Sequence, residues 1–71
     1  MNKLRNYIET WIDGKTVKGI HITPYEIHLM IDIYNAIARK EKPEFISENA
    51  KNILNKCGIK TKTCGIGWKV D

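Results

Sequence analysis

Between Asn49 and Val70 every charged side chain is a lysine: Lys51, Lys56, Lys60, Lys62 and Lys69. Asn52 and Asn55 stand among the first of these, and helical spacing places Glu48, Lys51, Asn52, Asn55 and Lys56 on one outward face. Lysine ammonium groups bind phosphates or guanine edges, and an asparagine amide can make two bonds to adenine. Lys60, Lys62 and Lys69 follow on a hairpin, where they would meet phosphates and add affinity that is mostly independent of sequence. The chemistry this set can do is nucleic-acid binding, with DNA placed ahead of RNA. A plainer reading of the same residues is a solvated helix face beside an edge strand that lysines protect from aggregation.

Other reactive residues are sparse. His28 and Asp32 lie one helical turn apart, but two ligands do not make a metal site, and no HExxH, CxxC or second carboxylate completes one. His28, Asp32, Asn35 and Arg39 read better as a structural polar seam along one helix. Gly65-Ile66-Gly67 falls in a hairpin, not before a helix, so it is no phosphate loop. Cys57 and Cys64 match no zinc or redox spacing and read as small, partly buried hydrophobes. The expectation is a non-enzymatic protein with no catalytic residue, cofactor or metal.

The chain has 71 residues and a formal net charge of +4, with 42% hydrophobic and 28% charged residues. That length holds one core, so residues 1–71 are expected to form a single small domain. A domain of this size is marginally stable, which makes efficient use of apolar residues or a partner necessary. Composition argues against disorder. Glu26, His28, Asp32 and Asn35 break the longest apolar stretch, so no membrane-spanning helix is expected and the protein reads as cytoplasmic. Residues 1–35 carry four basic and four acidic side chains, and residues 36–71 carry eight and four. The surplus of positive charge therefore belongs to the second half, as a polyanion-binding surface requires.

Elements must position these residues. Leu4, Tyr7, Ile8, Trp11 and Ile12 fall on one stripe of an amphipathic helix over residues 2–13, which Gly14 stops. Residues 16–22 are β-branched but interrupted by Gly19, and read as a short strand or extended connector. In that connector His21 points away from Ile20 and Ile22 and is exposed. The firmest element start is Ile22-Thr23-Pro24-Tyr25-Glu26-Ile27. Thr23 is the N-cap, Pro24 the first helical residue and Glu26 the third, a capping box with Ile22 and Ile27 as its hydrophobic staple. The helix it starts runs to about Lys40 and is apolar on most sides, which makes it the hub of the fold. Lys40-Glu41-Lys42-Pro43 breaks it. The next helix, 44–57, carries the outward face described above; either Pro43 or Ser47 begins it, and Gly58 ends it with Ile59 folding back on Leu54. Phe45 suits burial with either start. With Cys64-Gly65 as a two-residue turn, the last hairpin pairs Thr63 with Ile66, Thr61 with Trp68, and Ile59 with Val70. Lys60 then opposes Lys69, a like-charge pairing that costs stability.

The expected class is α+β: three helices, a short strand and a C-terminal β-hairpin, in the order α-β-α-α-β-β. That order resembles a winged-helix domain, with the hairpin tip as the wing. The long hub helix and the glycine-free connection at 41–43 depart from that architecture. A hairpin packed on three helices without recognition geometry fits the same sequence. The functional expectation is a small regulator that binds nucleic acid through helix 44–57 and the basic hairpin. The alternative is a protein-binding inhibitor or adaptor acting through an exposed aromatic and apolar patch that includes Trp11, Phe45 or Trp68. Small inhibitors encoded by viruses and mobile elements share this size and character. A homodimer through the first or second helix is a further alternative.

Overall fold

A computed structural model describes residues 2–71. The elements are α1 (Asn2–Ile12), α2 (Pro24–Ala38), α3 (Glu48–Lys56), β1 (Thr61–Cys64) and β2 (Gly67–Val70). The class is α+β, in the order α-α-α-β-β. Leu4, Ile8 and Trp11 of α1, Met30 and Ile33 of α2, and Ala50, Ile53 and Leu54 of α3 close one core with Ile20, Ile46 and Val70. None of the described helices is long and apolar enough to cross a membrane.

The capping box forms as its spacing demands. The Thr23 hydroxyl accepts from the Glu26 amide at 3.2 Å, and the Glu26 carboxylate accepts from the Thr23 amide at 3.3 Å. At the other end of each helix the chain turns through one left-handed residue. Gly14 ends α1 and Gly58 ends α3, with φ of 77° and 80°. The Lys15 amide donates to the Thr10 carbonyl and the Ile59 amide to the Leu54 carbonyl, both at 3.0 Å, the six-to-one bonds of a Schellman cap. At the end of α2 this position falls to Lys40, with φ of 62°, and the Glu41 amide donates to the Ala36 carbonyl at 2.9 Å.

The strand expected over residues 16–22 does not form. Gly19, with φ of 78°, instead closes a tight turn in which the Ile20 amide donates to the Val17 carbonyl at 3.0 Å. Positive φ at the third residue of the turn is the type II geometry that needs glycine. The turn delivers Ile20 to the core and leaves His21 on the surface, as its alternation with Ile20 and Ile22 suggests.

The third piece of the sheet comes from elsewhere. Of the two expected starts for the last helix, the Ser47 cap forms, and residues 43–46 lie instead as a strap along β2. The Ile46 amide donates to the Trp68 carbonyl at 2.7 Å, the Trp68 amide returns a bond to Ile46 at 3.0 Å, and the Val70 amide donates to Pro43 at 3.0 Å. Helix α3 therefore starts only after Ser47, whose hydroxyl accepts from the Ala50 amide at 3.3 Å. The winged-helix order thus gives way: the strap between α2 and α3 takes the sheet edge that a strand between α1 and α2 would fill there. Pro43 to Ile46 spans one residue more than Trp68 to Val70, so the strap carries a bulge. Its left-handed residue is Phe45, with φ of 56°, where a bulge of this kind ordinarily places glycine. An L side chain in that region costs about 1–2 kcal/mol.

The hairpin also shifts from its expected register. Thr61 pairs with Val70, Lys62 with Lys69, Thr63 with Trp68 and Cys64 with Gly67. The two-residue turn is Gly65-Ile66, with Gly65 at φ of 58° in the first position, the placement a type II′ turn prefers. Glycine decides the register because that turn matches the strand twist better than one with Cys64 in first place. The like-charge pairing moves accordingly, from Lys60 opposite Lys69 to Lys62 opposite Lys69, and Lys62 leans to Asp71 at 3.4 Å.

Three expected burials fail, the first at Phe45, which the strap holds on the surface. Ile12, last on the α1 stripe, is exposed, and α2 is not covered on all sides because Tyr25 and Leu29 face solvent. Both cysteines are free and half-buried, and burial pushes the Cys57 thiol upward.

Candidate nucleic-acid interface

Helix α3 buries Ala50, Ile53 and Leu54 and turns the opposite face outward. Glu48, Asn52 and Asn55 lie along the crest of that face, with Lys51 on one flank and Asn49 with Lys56 on the other. The two flanks meet different neighbours.

On the first flank, Lys51 and Asn55 already have partners. The Lys51 ammonium lies 4.2 Å from the centroid of the Trp68 ring, within cation–π range. Thr61 donates through its hydroxyl to the Asn55 side-chain oxygen at 3.1 Å. These contacts tie α3 to the hairpin face that carries Thr61, Thr63, Trp68 and Val70.

The second flank borders an open groove of about 460 Å³ between α3 and the Gly19 turn. Asn49, Asn52 and Lys56 line it from the helix, and Gly19 and His21 from the turn. The Asn49 amide holds this arrangement together, donating to the Glu26 carboxylate and, at 3.5 Å, to the His21 carbonyl. The Asn49 bond, more than the cap itself, holds the Glu26 carboxyl below the usual glutamate range. The first turn of α3 is thereby joined to the first turn of α2 and to the His21 turn by one amide, that of Asn49. Asn52 makes no side-chain hydrogen bond among the described residues, so its amide is available to a ligand.

Lys60, Lys62 and Lys69 form a separate group. Their register places them on the sheet face opposite Trp68 and Val70, with Asp71 beside them. The structure therefore brings Asn52 and Lys56 together in a groove, turns Lys51 and Asn55 toward the hairpin, and gathers Lys60, Lys62 and Lys69 on a face turned away from α3.

Sequence reasoning did not assign His21, Gly19 and Asn49 to the site. Asn49 occupies a flank of α3 at helical spacing from Asn52 and Lys56, and that periodicity was the signal for it. His21 and Gly19 enter only because the segment folds into a turn instead of a strand. Comparison of the chain with protein-family models finds no match, and comparison with curated proteins and with solved structures finds none either.

Proposed function

We propose that this protein is a small non-enzymatic regulator that binds nucleic acid through the outward face of α3 and the groove beside it. The observation that carries this reading is the groove itself. Asn52 and Lys56, on the helix with the outward polar face, share its lining with His21, which gives a base or phosphate a concave polar seat. An exposed helix suits the major groove of DNA, which admits a helix, better than the deep, narrow major groove of RNA. Lys60, Lys62 and Lys69 add long-range attraction and phosphate contacts from the hairpin and set salt dependence more than sequence preference. Lys51 and Asn55 act mainly as struts between α3 and the hairpin, since both are engaged there.

The test is a fluorescence titration of short duplex DNA and of RNA at two salt concentrations. Binding should weaken as salt rises. Lys60→Glu with Lys62→Glu should weaken binding on every sequence and flatten the logarithmic salt slope by about 2, one unit for each lost phosphate contact. Asn52→Ala should instead lower affinity on preferred sequences more than on others. Absence of binding to either polymer at low salt, or indifference to both sets of substitutions, would overturn the reading.

A further inference from the structure

The uncovered flank of α2 borders a second groove, of about 500 Å³, on the other side of α3. Tyr25 and Leu29 form one wall and Phe45 of the strap the other, over a floor of Ile33, Ile46 and Ala50. Tyr25 is 74% exposed and Phe45 70%. The Phe45 ring rests beside the hairpin turn, where a Cβ on Gly65 would lie 3.9 Å from its Cε1. Ile66, next in that turn, is fully exposed. Two separate elements, α2 and the strap, thus contribute large exposed apolar side chains to one groove. One of these is held there by a left-handed backbone that glycine would adopt without strain. Strain kept at an exposed aromatic residue is a mark of a binding surface.

We infer that this groove binds an amphipathic helix of a partner protein, one whose apolar stripe is flanked by lysine or arginine. Charge on the rim selects the occupant. Asp32 and Glu44 stand on it, and the one guanidinium lining it, Arg39, is bound to Glu41 at 2.9 Å. This is a local excess of carboxylates on a chain whose net charge is +4. Nucleic acid is repelled there. A second copy related by a two-fold axis would set the same carboxylates against each other. An added strand is disfavoured too, because the left-handed residue at Phe45 breaks the regular edge of the strap. A trough walled by Tyr25 and Leu29, one helical turn apart, and by Phe45 accepts the ridge of a helix.

The experiment titrates the full chain with two synthetic helices of about four turns: leucine and lysine at amphipathic spacing, and its leucine and glutamate counterpart. Amide NMR shifts report the location of binding. The lysine peptide should bind at least about tenfold more tightly than the glutamate peptide despite the positive charge of the protein. Its shifts should centre on Tyr25, Leu29 and Phe45. Phe45→Gly should keep or raise the melting temperature while weakening that binding by at least about tenfold, because it removes the ring and the strain together. Asp32→Lys with Glu44→Lys should reverse the preference between peptides. Equal binding of the two peptides, shifts centred on α3, or affinity unchanged in Phe45→Gly would overturn the inference. Self-association that Phe45→Gly abolishes would also overturn it, by assigning the groove to a second copy.

Discussion

The two grooves flanking α3 differ in what holds them in shape. On the His21 side, α2 and α3 are joined by a side-chain bond: the Asn49 amide donates to the Glu26 carboxylate of the capping box, and also to the His21 carbonyl. On the Phe45 side, backbone is laid on backbone, with the strap bonded to β2 through Ile46, Trp68, Pro43 and Val70. Polar side-chain links depend on ionisation and on individual caps, whereas a strap bonded to a strand depends on how closely the two chains approach. One small core therefore supports a surface linked through an ionisable side chain beside one whose strap is held by backbone bonds.

The largest break in this comparison should come from Gly67→Ala. A Cβ there would meet the Phe45 Cα at 3.2 Å and the Ile46 carbonyl oxygen at 3.3 Å, backbone atoms that cannot rotate aside. We expect a loss of about 2 kcal/mol in urea unfolding, with exchange of the Ile46, Trp68 and Val70 amides accelerated before those of α1. Thr23→Ala acts on the other side. It should cost about 1 kcal/mol through the lost cap, seen as a lower melting temperature, while the strap amides keep their protection. An unchanged melting temperature would mean the box adds nothing to stability.

The smallest effect separates the two sides by pH. Glu26 has its folded-state pKa lowered, chiefly by Asn49, so its contribution is full above the ordinary glutamate value of 4.5 and is lost as pH falls toward the lowered value. The carboxylate is solvent-exposed, so the effect is modest. Urea midpoints measured between about pH 3 and pH 7 should fall on the acid side, and Glu26→Gln should flatten that limb. Strap exchange, corrected for its intrinsic pH dependence, should not follow the same curve.

Local signals made much of the fold readable before the structure. Thr23, Pro24 and Glu26 specify a helix start among themselves, and Gly14 and Gly58 specify helix ends, because caps are short-range devices. The Phe45 position was not readable, since its backbone is set by pairing with residues more than twenty positions later in the chain. Lys40 was equally silent, holding a place that glycine usually announces. The Gly19 segment misled because β-branched composition suits a strand, while one glycine with positive φ suffices to fold it into a turn. In the candidate site, helical spacing correctly set Lys51, Asn52, Asn55 and Lys56 around one outward face. It could not tell which of them the tertiary structure would engage. The hairpin lysines were assigned to one face correctly, but the face lies away from α3, and only the register could show that.

The strap has a consequence for how the molecule assembles. β2 is bonded on one edge to β1 and on the other to residues 43–46, so the middle strand of this small sheet is the one synthesised last. Neither neighbour can pair with the other in its absence. The edge of the Phe45 groove is therefore paired only when β2 is in place. A nascent chain halted before Gly67 would carry its α3 signals and its lysines as far as Lys62, yet would have no β2 to hold the strap and its Phe45 in place.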